Sequence, residues 1–478
     1  MQTKDPGLLE RLRQVVGAAR VLTEPERLAP YLQEERRIYR GVASAVVQPA
    51  TTAEVAEVVR LCAAAGVPVV PQGGNTGACG GGVPQHPDAI VVSTERLTRI
   101  RHLDADNLTL TAEAGCILAD LQQAAQASGC FFPLSLGGEG SCRIGGNLST
   151  NAGGINVLRY GNARELMLGL EVVLPDGRIW DGLRALRKDN TGYALRHLFV
   201  GAEGTLGIIT ACVLRLFPYQ HHRETALLAV PSPQAALRVL QRAQRCTANL
   251  LNAFELMPRE GLDLGMKNMP GGREPFNERQ PWYVLAEVSA SADIGLKVAL
   301  ECALAESLEA GDALDAVVAQ SQEQRRALWR LREINAGGHQ WQEGGIVKHD
   351  IAVPVSQVPT LIERATQAAQ QACADVRVIA FGHMGDGNVH FNLVQPLGVP
   401  AEAFMARRAE FNRVVHDIVD DLGGSVSAEH GIGLLRVDEM ARYKDPLELE
   451  LMHRLKTTLD PLGLMNPGKV LPPTASTQ

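Results

Sequence analysis

Two histidines within residues 376–394 carry the first chemical signal of the sequence. The segment reads as two apolar strands joined at Asp386-Gly387, and Asp-Gly between alternating runs strongly favours a two-residue hairpin turn. With that turn, His383 stands directly opposite His390. Directly opposed side chains of an antiparallel pair share one face, with Cβ atoms roughly 5 Å apart. Asn392 falls on the same face, so the pattern predicts a metal site with two imidazole ligands.

We expect the third ligand in residues 424–433. Glu429 and His430 stand between a short predicted strand and a glycine, where a charged pair has no role in packing. Two histidines and a carboxylate form a common open zinc site, which leaves one position for water or substrate. The alternative is that His383 and His390 are hydrogen-bonded histidines of a sheet that holds no metal.

Three glycine-rich segments form the second signal. Six glycines occur in residues 73–82 (positions 73, 74, 77, 80, 81 and 82), and further clusters occupy 137–154 and 200–210. Glycine permits positive φ and close backbone approach, which suits a loop whose N–H groups wrap phosphate oxygens. A flexible linker is the alternative for the first segment, but a strand runs straight into it. The spacing is not GxGxxG, which disfavours a Rossmann nicotinamide site.

The composition sets the class of protein. A chain of 478 residues is too long for one core and predicts two or three domains. Its 46 basic and 53 acidic residues give a net charge of −7, which argues against a nucleic-acid partner. Nine cysteines without a CxxC pair are expected to be reduced and buried. The N-terminal residues lack an apolar core, and no run of about 18 apolar residues occurs, so we expect a cytoplasmic protein without a transmembrane segment.

The elements that must position the histidines follow residue 218. Strands and helices alternate there, which predicts an α+β, ferredoxin-like domain closed by the hairpin. The strands are predicted at 225–230, 253–256, 282–288, 316–318 and 345–354, the helices at 232–246, 292–310, 322–335, 355–374 and 401–422, and a loop at 257–281.

The glycine segments PQGGNTG (71–77), IGGNLSTNAGG (144–154) and GAEGTLGIIT (201–210) resemble the FAD-binding motifs of the vanillyl-alcohol-oxidase/p-cresol-methylhydroxylase (PCMH) flavoprotein superfamily. They are most similar to its D-2-hydroxyacid dehydrogenase branch, from about residue 40 to the C-terminus. Members with covalent flavin carry a histidine in the first loop, where Asn75-Thr76 stands here, so the resemblance implies non-covalent FAD. The implied FAD-binding residues are Pro71, Gly73, Gly74, Asn75, Thr76, Gly77, Gly80, Pro133, Leu134, Gly137, Ser141, Gly145, Gly146, Asn151, Gly153, Gly154, Glu203, Gly204, Ile208, Ile209, Asn466 and Lys469.

The resemblance also implies the architecture. The fold class is α+β, with a PCMH-type FAD-binding domain built from two α+β subdomains and a ferredoxin-like cap. The expected parts are an N-terminal helical segment (1–40), the FAD-binding domain (41–218), the substrate-binding cap (219–422) and a C-terminal helical segment that completes the active site and the flavin domain (423–478).

The motifs GHMGDGNVH (382–390) and SAEHGIG (427–433) resemble the divalent-metal motifs of D-2-hydroxyglutarate and D-lactate dehydrogenase-like proteins. They imply Zn²⁺, or Mn²⁺ or Co²⁺, on His383, His390 and Glu429. His430 is the candidate catalytic base that takes the hydroxyl proton while hydride passes from C2 to flavin N5; a substrate hydrogen-bond donor is its alternative role.

Cations are needed for the substrate carboxylates. Arg332 and Lys348 occupy positions that resemble the family's carboxylate binders, and Asn392 and His430 complete the predicted substrate set. Without the resemblance, Arg332 and Lys348 would read as surface charges. Relatives selective for 2-hydroxyglutarate tend to carry a threonine where Ala336 stands, which leaves the choice of acid open.

The favoured hypothesis is oxidation of D-2-hydroxyglutarate to 2-oxoglutarate. The same chemistry on D-lactate, glycolate or another D-2-hydroxy acid is the close alternative, and a non-catalytic flavin-binding subunit is the alternative from another class. No iron–sulfur or haem motif occurs, so electrons are expected to leave to an electron-transfer flavoprotein, a quinone or oxygen. A homodimer is the expected assembly from base rates alone.

Overall fold

The chain forms two compact units. A computed structural model describes residues 7–268, 273–336 and 344–473. The first unit comprises Met1–Gly154, Gly161–Tyr219 and Glu429–Gln478, and the second comprises Ile155–Tyr160 and Gln220–Ala428. Parts of three predictions lie outside the described residues: the helical segment 1–40 at 1–6, the loop 257–281 at 269–272, and the C-terminal segment 423–478 at 474–478. None of the described helices is long and apolar enough to cross a membrane.

A small, mainly parallel sheet begins the first unit. Its strands are β1 (Val21–Leu22), β2 (Ala45–Val47), β3 (Val69–Gln72) and β4 (Ile90–Ser93). Their order is β1-β2-β4-β3, with only β1 antiparallel to its neighbour. The strands are short and almost wholly buried, as expected for parallel strands covered on both faces. The sheet therefore brings the first glycine segment, which follows β3, to the carboxyl end of a rigid strand.

Antiparallel strands complete the sheets of the first unit. They are β5 (Ile100–Asp104), β6 (Thr109–Glu113), β7 (Cys130–Phe131), β8 (Met167–Val173), β9 (Ile179–Gly182), β10 (Ile208–Arg215) and β11 (Phe217–Pro218). Five of them form a sheet in the order β5-β6-β10-β8-β9, and β7 pairs with β11. The helices of this unit are α1 (Leu8–Val16), α2 (Pro25–Leu32), α3 (Thr52–Ala65), α4 (Leu118–Ala127), α5 (Ile144–Ser149), α7 (Arg196–Phe199), α15 (Val437–Tyr443) and α16 (Pro446–Leu459).

The second unit is built on one seven-stranded antiparallel sheet. Its strands are β12 (His222–Val230), β13 (Leu251–Pro258), β14 (Trp282–Ala290), β15 (Asp315–Val318), β16 (Ile346–Ala352), β17 (Arg377–His383) and β18 (Asn388–Val394). They lie in the order β15-β12-β14-β13-β17-β18-β16. The helices are α6 (Val157–Tyr160), α8 (Pro233–Cys246), α9 (Arg259–Asn268), α10 (Leu296–Glu309), α11 (Gln322–Ala336), α12 (Val358–Ala372), α13 (Ala401–Ala406) and α14 (Arg408–Asp421).

Different helices cover the two faces of this sheet. Apolar side chains of one face, Phe391 and Leu393 among them, pack in the main core with buried residues of α8, α10, α12 and α14. Smaller clusters on the other face involve α9 and α11. Because side chains alternate along a strand, His390 and Asn392 lie on this second face, away from the four-helix layer.

Two predicted elements of the second unit are wrong. The predicted loop 257–281 contains α9, and the single helix predicted at 401–422 is broken at Arg407 into α13 and α14. Gly261 and Gly265 made α9 look like a loop, since glycine disfavours helices. They are needed because α9 packs closely on α11: a Cβ at Gly261 would lie 1.9 Å from Asn335 Oδ1, and one at Gly265 would lie 2.1 Å from Ile334 Cγ2.

Helix α3 begins with side-chain hydrogen bonds to its first backbone N–H groups and ends at a glycine. Thr51 Oγ1 accepts a hydrogen bond from Glu54 N–H at 3.1 Å, and Glu54 Oε2 accepts one from Ala50 N–H at 2.7 Å. Gly66 ends the helix with φ +63°. These contacts satisfy N–H groups that a helix start leaves without partners, and they fix the residue at which α3 begins.

Replacing Thr51 with alanine tests this cap. Thr51→Ala should make opening of the first turn of α3 easier by about 1 kcal/mol, which corresponds to roughly fivefold faster amide exchange there. Hydrogen–deuterium exchange of peptides from 52–65 measures it. Thr51→Ser keeps the hydroxyl and is the control; equal exchange in the two variants would contradict the role of the cap.

Candidate active site

The second face of the seven-stranded sheet brings polar side chains from four strands together. The ladder places Glu255 opposite His383, and His390 between Phe381 on one side and Asp350 on the other. Directly opposed residues share a face. The residues that share it are Glu255 on β13, Phe381 and His383 on β17, His390 and Asn392 on β18, and Lys348 and Asp350 on β16.

The two predicted metal-binding histidines lie side by side on this face, with ring centroids 5.6 Å apart. Their predicted direct opposition is wrong by two residues, because Phe381 stands opposite His390. The strands are joined by four residues, 384–387, instead of two. Since the side-chain period of a strand is two, a shift of two leaves His383 on the same face.

Two glycines allow the backbone of this hairpin to pack closely against its neighbours. Gly382 has φ +133°, and a Cβ there would lie 3.2 Å from His390 Cδ2. Gly387 has φ +86°, and a Cβ there would lie 2.2 Å from Val353 O. The close approach of the turn to Val353 and of β17 to the His390 ring thus depends on two residues without side chains.

Glu255 is a site residue that the sequence reasoning missed. Its carboxylate is 1% exposed and bonds to His383 Nδ1 at 2.7 Å and to Arg332 Nε at 2.8 Å. Burial alone would raise the pKa of Glu255, but His383 and Arg332 outweigh burial and hold that pKa far below its usual range. A single carboxylate in the largely apolar run LNAFELMP was the available signal.

The predicted substrate-binding residues lie around these histidines. Arg332 projects from α11 with its guanidinium carbon 5.8 Å from the centre of the Phe381 ring, and its Nη2 lies 3.5 Å from His383 Nε2. Lys348 stands opposite Asn392 in the β16–β18 ladder. The structure therefore brings Arg332, Lys348 and Asn392 to the face that carries both histidines.

Glu429 and His430 come after the strands of this sheet in the sequence, directly after a segment that is bonded to β16. Ser425 forms a single bridge with Ala352, where a short strand was predicted. Ala428 N–H then donates to Asp350 O at 3.1 Å, and Asp350 stands opposite His390. Glu429 is the next residue and begins the last segment of the first unit.

Within the first unit, the loop after His430 is anchored by Glu203. The Glu203 carboxylate accepts hydrogen bonds from Ile432 N–H at 2.7 Å and Gly433 N–H at 2.9 Å. Burial raises the pKa of Glu203. Asn466 Nδ2 donates to Gly81 O at 3.0 Å and to Glu203 O at 2.7 Å. Two predicted FAD-binding residues, Glu203 and Asn466, thus connect four chain segments, around residues 81, 203, 432 and 466.

The first glycine segment has the properties of an anion-binding loop. In the described part of the chain, no backbone–backbone hydrogen bond is donated by the five N–H groups of residues 73–77. Asn75 has φ +55°, and its amide Nδ2 donates to Pro30 O at 3.1 Å and Gln33 O at 2.8 Å. Successive N–H groups in a tight loop are suited to phosphate oxygens. The segment fits the pyrophosphate of FAD.

The second glycine segment supports the first by direct backbone packing. A Cβ on Gly74 would lie 2.4 Å from Ser141 O, and one on Gly145 would lie 2.6 Å from Ala114 Cβ. Part of this segment is the short helix α5. Gly74 is therefore required for the close approach of the two segments, and Gly145 for the close approach of α5 to Ala114 at the end of β6.

Lys469 provides a second indication of a ligand in the first unit. It is 3% exposed, and among the described residues its Nζ has no hydrogen-bond partner. Burial lowers the pKa of Lys469 to about 8, against the opposing effect of Glu203. A buried donor without a protein acceptor is expected where a ligand supplies the acceptor, which fits the predicted role of Lys469 at the flavin.

Comparison with known proteins agrees with this reading. An FAD-binding domain matches residues 43–182, and the C-terminal domain of FAD-linked oxidases matches residues 219–470. The structure superposes on p-cresol methylhydroxylase with a TM-score of 0.77 and 16% identity, covering 98% of this chain and 97% of that one. For 4-ethylphenol oxidase from Gulosibacter chungangensis the TM-score is 0.74 at 16% identity, covering 99% and 98%. The predicted α+β, PCMH-type fold class is confirmed.

The fold and the FAD-binding domain define a flavoprotein. Proteins of similar sequence indicate which group of flavoproteins the chain belongs to. Mitochondrial D-2-hydroxyglutarate dehydrogenase of Bos taurus is 38% identical over 98% of this chain and 83% of its own length. The enzyme of that name from Xanthomonas citri pv. viticola is 37% identical over 98% and 97%, and the mitochondrial one of Arabidopsis thaliana is 35% identical over 96% and 80%. The chain belongs to the family of FAD-linked oxidases that includes these D-2-hydroxyglutarate dehydrogenases.

The packing of the two glycine segments yields a prediction for FAD binding. Gly74→Ala should lower FAD affinity about tenfold, because the added Cβ displaces the first segment from the second and overpacking costs about 1–3 kcal/mol. Titration of the apoprotein with FAD, followed by flavin fluorescence, measures the affinity. Gly140→Ala is the control, since a Cβ at Gly140 meets nothing within 4 Å; equal FAD affinity in the two variants would count against the packing argument.

Proposed function

We propose that this protein is an FAD-dependent dehydrogenase that oxidises D-2-hydroxyglutarate to 2-oxoglutarate with the help of a divalent cation. The observation that carries the proposal is one sheet face on which two imidazoles lie beside an arginine and a lysine. A 2-hydroxy dicarboxylate offers the groups that such a face binds: a chelating hydroxyl and carboxylate for a cation, and a second carboxylate for a basic side chain.

The residues fit a divalent cation. His383 and His390 supply imidazoles on one face, and the Glu255 carboxylate on Nδ1 of His383 assigns the ligand role to Nε2. Glu429 follows directly after Ala428, which is bonded to the strand beside His390. We propose His383, His390 and Glu429 as the ligands, with Zn²⁺ first and Mn²⁺ or Co²⁺ as alternatives. When bound, the cation would supply a Lewis acid that lowers the pKa of the substrate hydroxyl.

Arg332, Lys348 and His430 would bind the substrate acid and remove its hydroxyl proton. Arg332 and Lys348 bind carboxylate groups, and Asn392 donates to a substrate oxygen. His430 takes the hydroxyl proton as hydride leaves C2; a hydrogen-bond donor to the substrate is its alternative role. Bound FAD would supply the hydride acceptor at N5. With these roles the hydroxyl proton would pass to the His430 imidazole, and bound FAD would accept the hydride from C2.

The other parts of the proposal rest on the sequence. FAD is held without a covalent bond, because Asn75-Thr76 replaces the histidine of covalent members and the Asn75 amide is bonded to Pro30 and Gln33. Electrons leave to an electron-transfer flavoprotein or a quinone. We propose a cytoplasmic location; the word mitochondrial belongs to the names of the plant and animal relatives, and the Xanthomonas name carries no compartment.

A panel of D-acids with an artificial electron acceptor tests the substrate. The value of kcat/KM for D-2-hydroxyglutarate should exceed that for D-lactate and glycolate at least about tenfold, since a lost carboxylate contact is worth roughly 1.5–3 kcal/mol. Lys348→Met should reduce this preference. D-Lactate as the faster substrate would favour the close alternative, and no turnover of any acid would favour a flavin-binding subunit without activity.

Removal of the cation tests its role. Prolonged treatment with a chelator should lower activity by a factor of about 100 or more, and Zn²⁺, Co²⁺ or Mn²⁺ should restore it, because Lewis-acid stabilisation is worth several kcal/mol. His390→Ala should not be restored by any of the three. Full activity in protein shown to be free of metal would contradict the proposed cation.

A further inference from the structure

One carboxylate connects two groups that the proposed function treats separately. Oε1 of Glu255 lies 2.7 Å from His383 Nδ1, and Oε2 lies 2.8 Å from Arg332 Nε. His383 is the proposed cation ligand and Arg332 the proposed carboxylate binder. Both oxygens of one buried side chain are thus engaged, each with a residue of a different role.

The chemistry of the three groups fixes their orientation. Arg332 is always charged and donates through Nε to Glu255 at 2.8 Å, so Glu255 is held as the carboxylate, which only accepts hydrogen bonds. A neutral His383 therefore carries its proton on Nδ1, and Nε2 is its acceptor and ligand atom. Arg332 donates through Nε, so the plane of its guanidinium is set by the same carboxylate, beside the Phe381 ring.

We propose that Glu255 is a positioning residue that sets both the cation site and the carboxylate site. It holds His383 in the tautomer that ligates through Nε2, and it holds the Arg332 guanidinium beside that nitrogen, where Nη2 lies 3.5 Å away. Carboxylates that orient metal-binding histidines change metal affinity by factors of about 10–100 when they are removed. This inference rests on the proposed function, because it concerns the proposed ligands.

If Glu255 had a purely structural role, its replacement would lower the stability of the protein but would not specifically weaken cation binding. Breaking a buried ion pair lowers stability wherever the pair lies, so a structural glutamate would affect unfolding without affecting one ligand site. Glu287 on β14 offers a matched control. It is 4% exposed, lies on the same sheet, and bonds to Thr225 Oγ1 and Trp329 Nε1, each at 2.8 Å.

The test compares Glu255→Gln with Glu287→Gln in FAD-loaded, metal-free protein. Titration calorimetry with Mn²⁺ should show about 10–100-fold weaker binding in Glu255→Gln and unchanged binding in Glu287→Gln. The glutamine amide has only one acceptor oxygen, so it cannot accept hydrogen bonds from both His383 Nδ1–H and Arg332 Nε–H. It also carries no negative charge to hold the Arg332 guanidinium, so the affinity for 2-oxoglutarate should fall as well. Glu255→Asp retains the charge and should recover part of both affinities.

The possible results separate this inference from the proposed function. Wild-type affinity for Mn²⁺ in Glu255→Gln, with binding lost in His390→Ala, would overturn the role of Glu255 alone. Equal losses in both glutamine variants would also overturn it. No Mn²⁺ binding that depends on His390 in the wild-type protein would remove the proposed cation, and this inference with it.

If Glu255→Gln fails to fold, a measurement on the wild-type protein still tests the role of Glu255. With ¹⁵N-labelled histidine, the ring signals of metal-free protein that disappear in His383→Ala belong to His383. They should report the tautomer protonated at Nδ1. The tautomer protonated at Nε2 would contradict the proposed role of Glu255, whatever the variants do.

Discussion

The alternation of side chains across one antiparallel sheet is the constraint on which the second unit depends. Every strand must present apolar residues to the four-helix layer, where the main core lies, and its other residues to the opposite face. This separation allows a buried carboxylate, two histidines and two basic side chains to gather without disturbing the core. A shift of one residue in any of these strands would exchange the two sets of side chains.

Glycine has a different purpose in each unit. In the first unit it allows two loops to pack backbone against backbone, with N–H groups of residues 73–77 left for a ligand. In the second unit, Gly261 and Gly265 let α9 pack closely on α11, the helix that carries Arg332. The carboxylate of Glu203 ties the 432–433 loop to this framework in the first unit. Close backbone approach therefore supports both the glycine-rich segments of the first unit and the polar face of the second.

Much of this could be predicted from the sequence, and the failures have local physical causes. Alternation and helical spacing identified most elements of the second unit, and three long glycine motifs identified the flavoprotein class, which the matched families confirm. The turn preference of Asp386-Gly387 suggested a two-residue hairpin, but contacts of Gly387 with Val353 favour a four-residue connection. Glu255 was missed because its partners lie 77 and 128 positions away in sequence, a distance that no local pattern spans.

A crystal structure with Zn²⁺ and 2-oxoglutarate, read by anomalous scattering at the zinc edge, tests the central claim most directly. The account predicts one zinc peak about 2.0–2.1 Å from nitrogens of His383 and His390, with the acid bound to the ion and a carboxylate on Arg332 or Lys348. A zinc ion bound away from both histidines, or an acid that contacts neither Arg332 nor Lys348, would contradict it.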